Sequence, residues 1–293
     1  MPSPLPPSAQ AEPPFPGESS PVASTCVDVW HATASGDRPS VVEACCEAWL
    51  TQEERIRADR FRRRTTRNQH VIGRGMARRM LGGDAVDALS ICFRTSDHGK
   101  PTVASPPQAR QPFNIAHTEG LVLLGITSTA VNAAPADGAG RVAGRDGSVL
   151  LGVDVERIER RTDPKLADRY FAAPEVEFLH SFADPEARKA VFLRIWTLKE
   201  CFIKAIGTGL HTPLGDFAFE DIASANPKLK ILNPKLRQSA SWTFHCFEPR
   251  PGFVGALAVG RVTETPQALV QADVRHRCFD HFLRDAGVTT APA

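Results

Sequence analysis

The chain of 293 residues has no apolar run approaching the roughly 18 residues that a membrane-spanning helix requires, so no membrane partner is expected. Its opening stretch, MPSPLPPSAQAEPPFPGESSP, lacks both the basic start and the apolar segment of a secretory signal. No export is expected, and the location is read as cytoplasmic. Prolines and small polar residues there offer too little apolar surface to offset ordering, which makes residues 1–23 a disordered Pro-rich tail. CxxC spacing is also missing. The seven cysteines are odd in number and scattered, with Cys45 and Cys46 adjacent, a pattern of free thiols rather than of zinc ligands. Nor is there an excess of either charge: 35 basic against 33 acidic residues leaves +2, which singles out no partner.

What is present is ordinary in bulk and uneven in detail. Hydrophobic residues make up 42% and charged residues 23%, as in a globular protein with a real core. Between Arg55 and Arg79, however, stand ten arginines and one acid, Asp59. That imbalance asks for an anionic ligand. Nucleic acid is not expected, because the aromatic interleaving of a single-strand binder is missing.

Patterning gives the elements. Residues 25–31 alternate as a strand, and 40–50 read as a helix. Thr51-x-x-Glu54 is a capping box that opens a second helical stretch, which carries the arginines and stops at Gly82-Gly83. Residues 88–94 read as a strand, followed by a turn-rich segment with Gly99 and four prolines. Residues 113–127 read as strand, turn and strand. The stretch 130–148 is Ala- and Gly-rich without periodicity, and 149–157 (VLLGVDVER) is a strand. Helices follow from Asp163-Pro164, through PEVEFLHSF, and from Glu186 to Ile206, closed by Gly207. Two further strands and a C-terminal helical tail complete the chain. Strands and helices do not alternate one for one, so the fold class is α+β rather than a doubly wound sheet. Each half carries helices and antiparallel-type strands, without a residue-level repeat.

Several side chains can carry chemistry. Asp154 and Glu156 lie two apart on a strand, on one face and about 6.6 Å apart at roughly 3.3 Å per residue. Val153 and Val155 then face the core. Two carboxylates so placed repel unless a cation sits with them, or unless the face is simply solvated. On the long helix, Trp196, Glu200 and Lys204 share a face beside the apolar stripe of Val191, Ile195, Leu198, Phe202 and Ile206, which also describes an amphipathic helix with a surface ion pair. Lys100, in the turn HGKP, and His117, at the end of FNIAH, can each meet an anion or be purely structural. Arg74 and Arg78, four apart on a helix, suit a phosphate clamp.

Taken in order, the Arg-rich helix with GRGMAR, then GKP, FNIAH, GVDVE and WTLKECFIKAIGTGL resemble the 4′-phosphopantetheinyl transferases. The likeness is greatest to their long, monomeric, surfactin-synthetase-activating type and spans roughly residues 50–215. The resemblance implies a pseudo-dimer of two similar α+β halves with the active site at their interface. The halves are 24–129, with the CoA-binding elements, and 149–275, with the magnesium-binding and catalytic elements. They are joined by a flexible insertion, 130–148, and followed by a tail, 276–293.

The implied reaction is Mg²⁺-dependent transfer of the phosphopantetheine arm of coenzyme A to a serine of an apo acyl or peptidyl carrier protein. Such carriers are acidic and serve fatty-acid, polyketide or nonribosomal peptide synthesis. By the same resemblance Asp154, Glu156 and Glu200 hold the magnesium, while Glu200, Lys204 and Asp154 are catalytic. Arg74, Arg78, Lys100, His117 and Lys199 contact CoA. The chain departs from the family in Ala116, where a serine commonly precedes the histidine, and in the insertion. A catalytically silent CoA- or carrier-binding protein is the alternative on the same scaffold.

Overall fold

The computed structural model describes residues 24–128, 148–236, 240–263 and 271–287. The expected tail 1–23, the expected insertion apart from Ser148, and residues 288–293 lie outside the described residues.

Strand β1 (Ser24–Thr33) leads to helices α1 (Val41–Ala48), α2 (Gln52–Asp59) and α3 (Arg64–Gly82). Capping boxes at Ser40/Glu43 and Thr51/Glu54 start α1 and α2, satisfying backbone N–H groups that have no partner within the helix. The helical stretch expected from Thr51 to Gly82 is therefore two helices. Arg60, Arg63 and Arg64 stand at the break, and like charges three and four apart oppose a continuous helix. Strands β2 (Cys92–Thr95) and β3 (Pro101–Ser105) form a hairpin that turns at Gly99, whose φ is 85°. β3 lies within the segment expected to be turn-rich. Strands β4 (Phe113–Thr118) and β5 (Leu121–Thr127) are joined at Gly120.

The second part of the chain repeats this order of elements. β6 (Val149–Arg157) is followed by helices α4 (Ala167–Tyr170), α5 (Ala173–His180) and α6 (Pro185–Ile206). Then come a hairpin of β7 (Phe217–Glu220) and β8 (Lys228–Ile231), and a second hairpin of β9 (Ala240–Phe247) and β10 (Phe253–Val262). Strand order agrees as well: β5 lies between β1 and β4, and β10 between β6 and β9. Even the turns agree. Ala34 N–H donates to Gly120 O at 3.1 Å, and Ile158 N–H donates to Gly252 O at 2.9 Å, with the two glycines at φ 87° and 86°. Both glycines occupy the left-handed region that side chains disfavour.

The chain ends with β11 (Gln271–Cys278) and α7 (Phe279–Asp285). The expected helical tail holds α7, but a strand that was not expected, β11, precedes it. β11 pairs in parallel with β1, crossing the boundary placed at residue 276 and extending the first sheet to β11-β1-β5-β4.

The two larger sheets pack against each other through Val27, Val29, Leu121 and Leu123 on one side and Leu151, Val153, Val155, Leu257 and Val259 on the other. Helix α3 covers the outer face of the first sheet, with Val71, Ile72 and Met76 among Val122, Leu124 and Ile126. Helix α6 covers the outer face of the second, with Leu198, Cys201 and Phe202 on Ala256 and Ala258. β6 is thus buried on both faces. Asp154 and Glu156 lie under α6 at 5% and 7% exposure, not on a solvated face.

Candidate active site

Gly152 lets the site form. A Cβ on it would lie 2.0 Å from Cys201 O and 2.6 Å from Ala205 N, so only glycine allows α6 to lie this close to β6. The close approach brings Lys204, on α6, to Asp154: its Nζ donates to Asp154 Oδ1 at 2.6 Å. Asp154 Oδ2 is buried without a hydrogen-bond partner. Glu156 Oε2 accepts from Thr118 Oγ1 at 3.2 Å, and its Oε1 from the Arg160 guanidinium. Glu200, half-buried one turn before Lys204, makes no hydrogen bond or ion pair among the described residues.

Burial and crowding of like charge set the proton affinities. Burial raises the Asp154 carboxyl, and Lys204 opposes it. Burial, then Asp154, raises Glu156. Glu200 is raised from 4.5 to about 7, by burial first and then by the charge of Asp154, with Lys204 opposing and Glu156 adding. Burial alone would lower Lys204, but Asp154 and Glu200 outweigh it and keep the group an ammonium. His117 is open to solvent at the end of β4. The protein packed around it lowers its imidazole, as does the charge of Lys204.

Among the described residues, no three His, Cys, Asp or Glu side chains surround a common ion position. Asp154 and Glu156 are engaged instead by Lys204 and Arg160. The donor set nonetheless fits a hard divalent cation: three carboxylates that feel one another's charge, one of them with an unpartnered buried oxygen.

The other residues singled out from the sequence divide sharply. Arg78 is 3% exposed; it donates to both oxygens of Glu54 at 2.8 and 3.1 Å, and to Ala88 O and Ile91 O at 2.6 and 2.8 Å. Lys199 is fully buried, donating to Leu214 O and Phe217 O at 2.7 and 2.8 Å and paired with Glu175 at 2.7 Å. Lys100 Nζ donates to Leu151 O at 3.0 Å and Ala205 O at 2.8 Å, and burial lowers it to about 7. All three were expected at CoA, and all three place their charge inside the protein. Donors engaged by carbonyls and carboxylates of the protein are turned away from a ligand phosphate.

Arg74 differs. Its Nε pairs with Glu54 at 3.3 Å, but Nη1 is buried without a partner. Beside it stands a residue that sequence reasoning missed. His70 Nε2 is also buried and unpartnered, and its ring lies 5.2 Å from that of Phe61. Burial, then Arg74 and Arg57, lower His70 to about 4. The spacing of His70 and Arg74, one helical turn apart on the arginine helix, was the available signal. Other missed residues are Thr118, Arg160 and Glu175, none of which stood in a recognisable pattern; Glu54 was read only as half of a capping box, not as the partner of Arg74 and Arg78.

An α+β protein with clustered carboxylates and an ammonium between β6 and α6 is a protein built to handle charged groups. The sequence pattern of the 4′-phosphopantetheinyl transferase superfamily matches residues 150–258, which hold Asp154, Glu156, Glu200 and Lys204. The chain is 29% identical over 227 residues to the 4′-phosphopantetheinyl transferase HetI of Nostoc sp., covering 76% of this chain and 84% of that one. It is 30% identical over 170 residues to the 4′-phosphopantetheinyl transferase psf-1 of Bacillus pumilus, covering 58% and 63%. It is 25% identical over 172 residues to Sfp of Bacillus subtilis, covering 58% and 66%. The chain is thus similar to 4′-phosphopantetheinyl transferases, over residues 150–258 to the superfamily's pattern and over more of its length to individual members.

Proposed function

We propose that the protein moves the 4′-phosphopantetheine arm of coenzyme A onto a serine hydroxyl of an apo acyl or peptidyl carrier protein, releasing adenosine 3′,5′-bisphosphate. The observation that carries this reading is the Asp154–Lys204–Glu200 cluster, in which a carboxyl held near neutrality stands one helical turn from an ammonium. Phosphoryl transfer of this kind asks the protein for positioning and charge neutralisation rather than covalent chemistry.

Asp154, Glu156 and Glu200 are the residues that would hold Mg²⁺. When bound, the ion neutralises charge on the CoA pyrophosphate. Glu200 takes the proton of the carrier serine, for which a carboxyl near pH 7 is matched. The serine oxygen forms its bond to the β-phosphorus as the bond to the bisphosphate oxygen breaks. Lys204, kept an ammonium by Asp154, faces the charge that grows on the departing phosphate. Asp154 orients that ammonium. His117, His70 and Arg74 are the groups for the anionic nucleotide end of CoA, the last two offering unpartnered nitrogens.

The active site then lies between two related halves of one chain, consistent with a monomer. The exposed arginines at 55, 57, 60 and 62–64 and the hollow of about 480 Å³ lined by Glu53, Ile56, Arg57 and Arg60 suit an acidic carrier. The reading is tested by intact mass spectrometry of an apo carrier incubated with the protein, CoA and magnesium, beside an EDTA control. A metal-dependent gain of one phosphopantetheine arm is expected. Binding of CoA with no gain on any of several carriers would favour a silent binder.

A further inference from the structure

We infer that Lys100 is a positioning residue: its side chain, reaching out of the β2–β3 hairpin, fixes the end of helix α6 against strand β6 and so sets Glu200 and Lys204 against Asp154. The inference rests on the proposed reaction for its kinetic meaning, but its geometry stands alone.

β6 pairs with β10 along one side only. Its other edge is buried at the seam with the first sheet, and unpaired backbone groups there are costly. Side chains from the first half stand in for the missing strand. Lys100 Nζ donates to Leu151 O at 3.0 Å. Val153 N–H donates to Asn114 Oδ1 at 2.9 Å, and Arg157 N–H donates to Thr118 Oγ1 at 3.4 Å. Leu151, Val153 and Arg157 are all odd-numbered positions of the strand, the set that turns its backbone groups to one edge, with Val155 passed over.

Lys100 alone of the three reaches a second element. It donates to Ala205 O at 2.8 Å, one of the last carbonyls of α6, which have no partner within the helix. An amine at that end also opposes the helix dipole. Its stem packs against the helix terminus, where a Cβ on Gly207 would meet Lys100 Cδ at 3.4 Å. Ala205 follows Lys204 directly, and Leu151 is three residues before Asp154. One side chain therefore clamps both elements next to the residues whose separation matters. In turn, this amine is committed to main-chain carbonyls rather than to CoA.

The test is steady-state kinetics of carrier modification with CoA varied, for wild type, Lys100→Met and Lys100→Arg. Lys100→Met is expected to lower kcat by about tenfold to a hundredfold, as misplacement of reacting groups by a fraction of an ångström does, with KM for CoA within about twofold. Lys100→Arg, which can still donate to two carbonyls, is expected to recover part of kcat. A raised KM at unchanged kcat, or no change in either, overturns the inference. If Lys100→Met does not fold, the Arg variant decides: a fall in kcat exceeding the change in KM supports the clamp, and any other result overturns it. A wild type that modifies no carrier refutes the proposed reaction and leaves the clamp to amide exchange over 201–206. Exchange rises in the variant if Lys100 holds the helix end and is unchanged if it does not.

Discussion

Replacing Glu200 by Gln removes a charge that the folded site disfavours. The Glu200 carboxyl rises from 4.5 to about 7 on folding. At 1.36 kcal/mol per tenfold change in proton affinity, keeping it ionised in the folded state costs about 3 kcal/mol. Because the folded value lies above the unfolded one, the folded protein holds more protons between pH 4.5 and about 7. Stability due to this group therefore falls as pH rises through that window and is level above it. Glu200→Gln is expected to match wild type near the lower limit and to exceed it by about 3 kcal/mol at about pH 8. In a chain of this length 1 kcal/mol moves Tm by about 2 °C, so the variant should melt roughly 6 °C higher. The assay is thermal unfolding in EDTA at both pH values, followed by magnesium at the higher one. The ion should narrow the gap by stabilising wild type alone. A variant no more stable at pH 8, or a difference equal at both pH values, refutes the electrostatic account, whatever happens to activity.

Two further substitutions separate structural cations from ligand contacts. Lys199→Met leaves Glu175 buried without its ion pair and should destabilise by about 3–5 kcal/mol in urea unfolding, with Lys199→Met/Glu175→Leu recovering much of the loss; a raised KM for CoA at full stability would return Lys199 to the substrate. Arg78→Met removes the paired bonds to Glu54 and those to two carbonyls and should cost about 3 kcal/mol with KM for CoA kept, whereas Arg74→Ala should raise that KM with little loss of Tm; the reverse pattern would contradict the geometry.

The sequence was most legible where local pattern and chemistry coincide. Two carboxylates at strand spacing, and Glu200 and Lys204 one helical turn apart, define their faces whatever surrounds them. The capping boxes and the glycine stop of α3 were legible for the same reason. What could not be read was which partner each cation would choose. Arg74 and Arg78 share a helix face in the sequence, yet one has a buried unpartnered nitrogen and the other is fully engaged by Glu54 and two carbonyls. That difference depends on where residues 88–91 return to the helix, which no local pattern states. Lys199 likewise sits beside Glu200 in the chain but on the opposite, buried side of α6, where Glu175 of another helix waits. The strands β3, β7 and β8 were missed because they are short, and β11 because it is polar and pairs with β1, distant in sequence.

The same reasoning explains why the repeated order of elements leaves so little trace in the residues. If Ala34 and Ile158 are equivalent through their matching bonds to Gly120 and Gly252, then Trp30 and Ala32 occupy in β1 the places of Asp154 and Glu156 in β6. Two strands with the same place in the order of elements thus carry opposite chemistry, aromatic and apolar in one, acidic in the other. Trp30 packs edge-on against Phe279 and Phe282 of α7, a helix with no counterpart in the other half. The strand edges diverge too. β11 pairs along the outer edge of β1, while the corresponding edge of β6 receives Lys100, Asn114 and Thr118. A backbone partner satisfies an edge regardless of side chains, whereas a row of side chains fixes one particular arrangement of strand and helix. The half that bears the carboxylates is the half given the second solution, so among the described residues only one seam combines a clamped edge with a charged face.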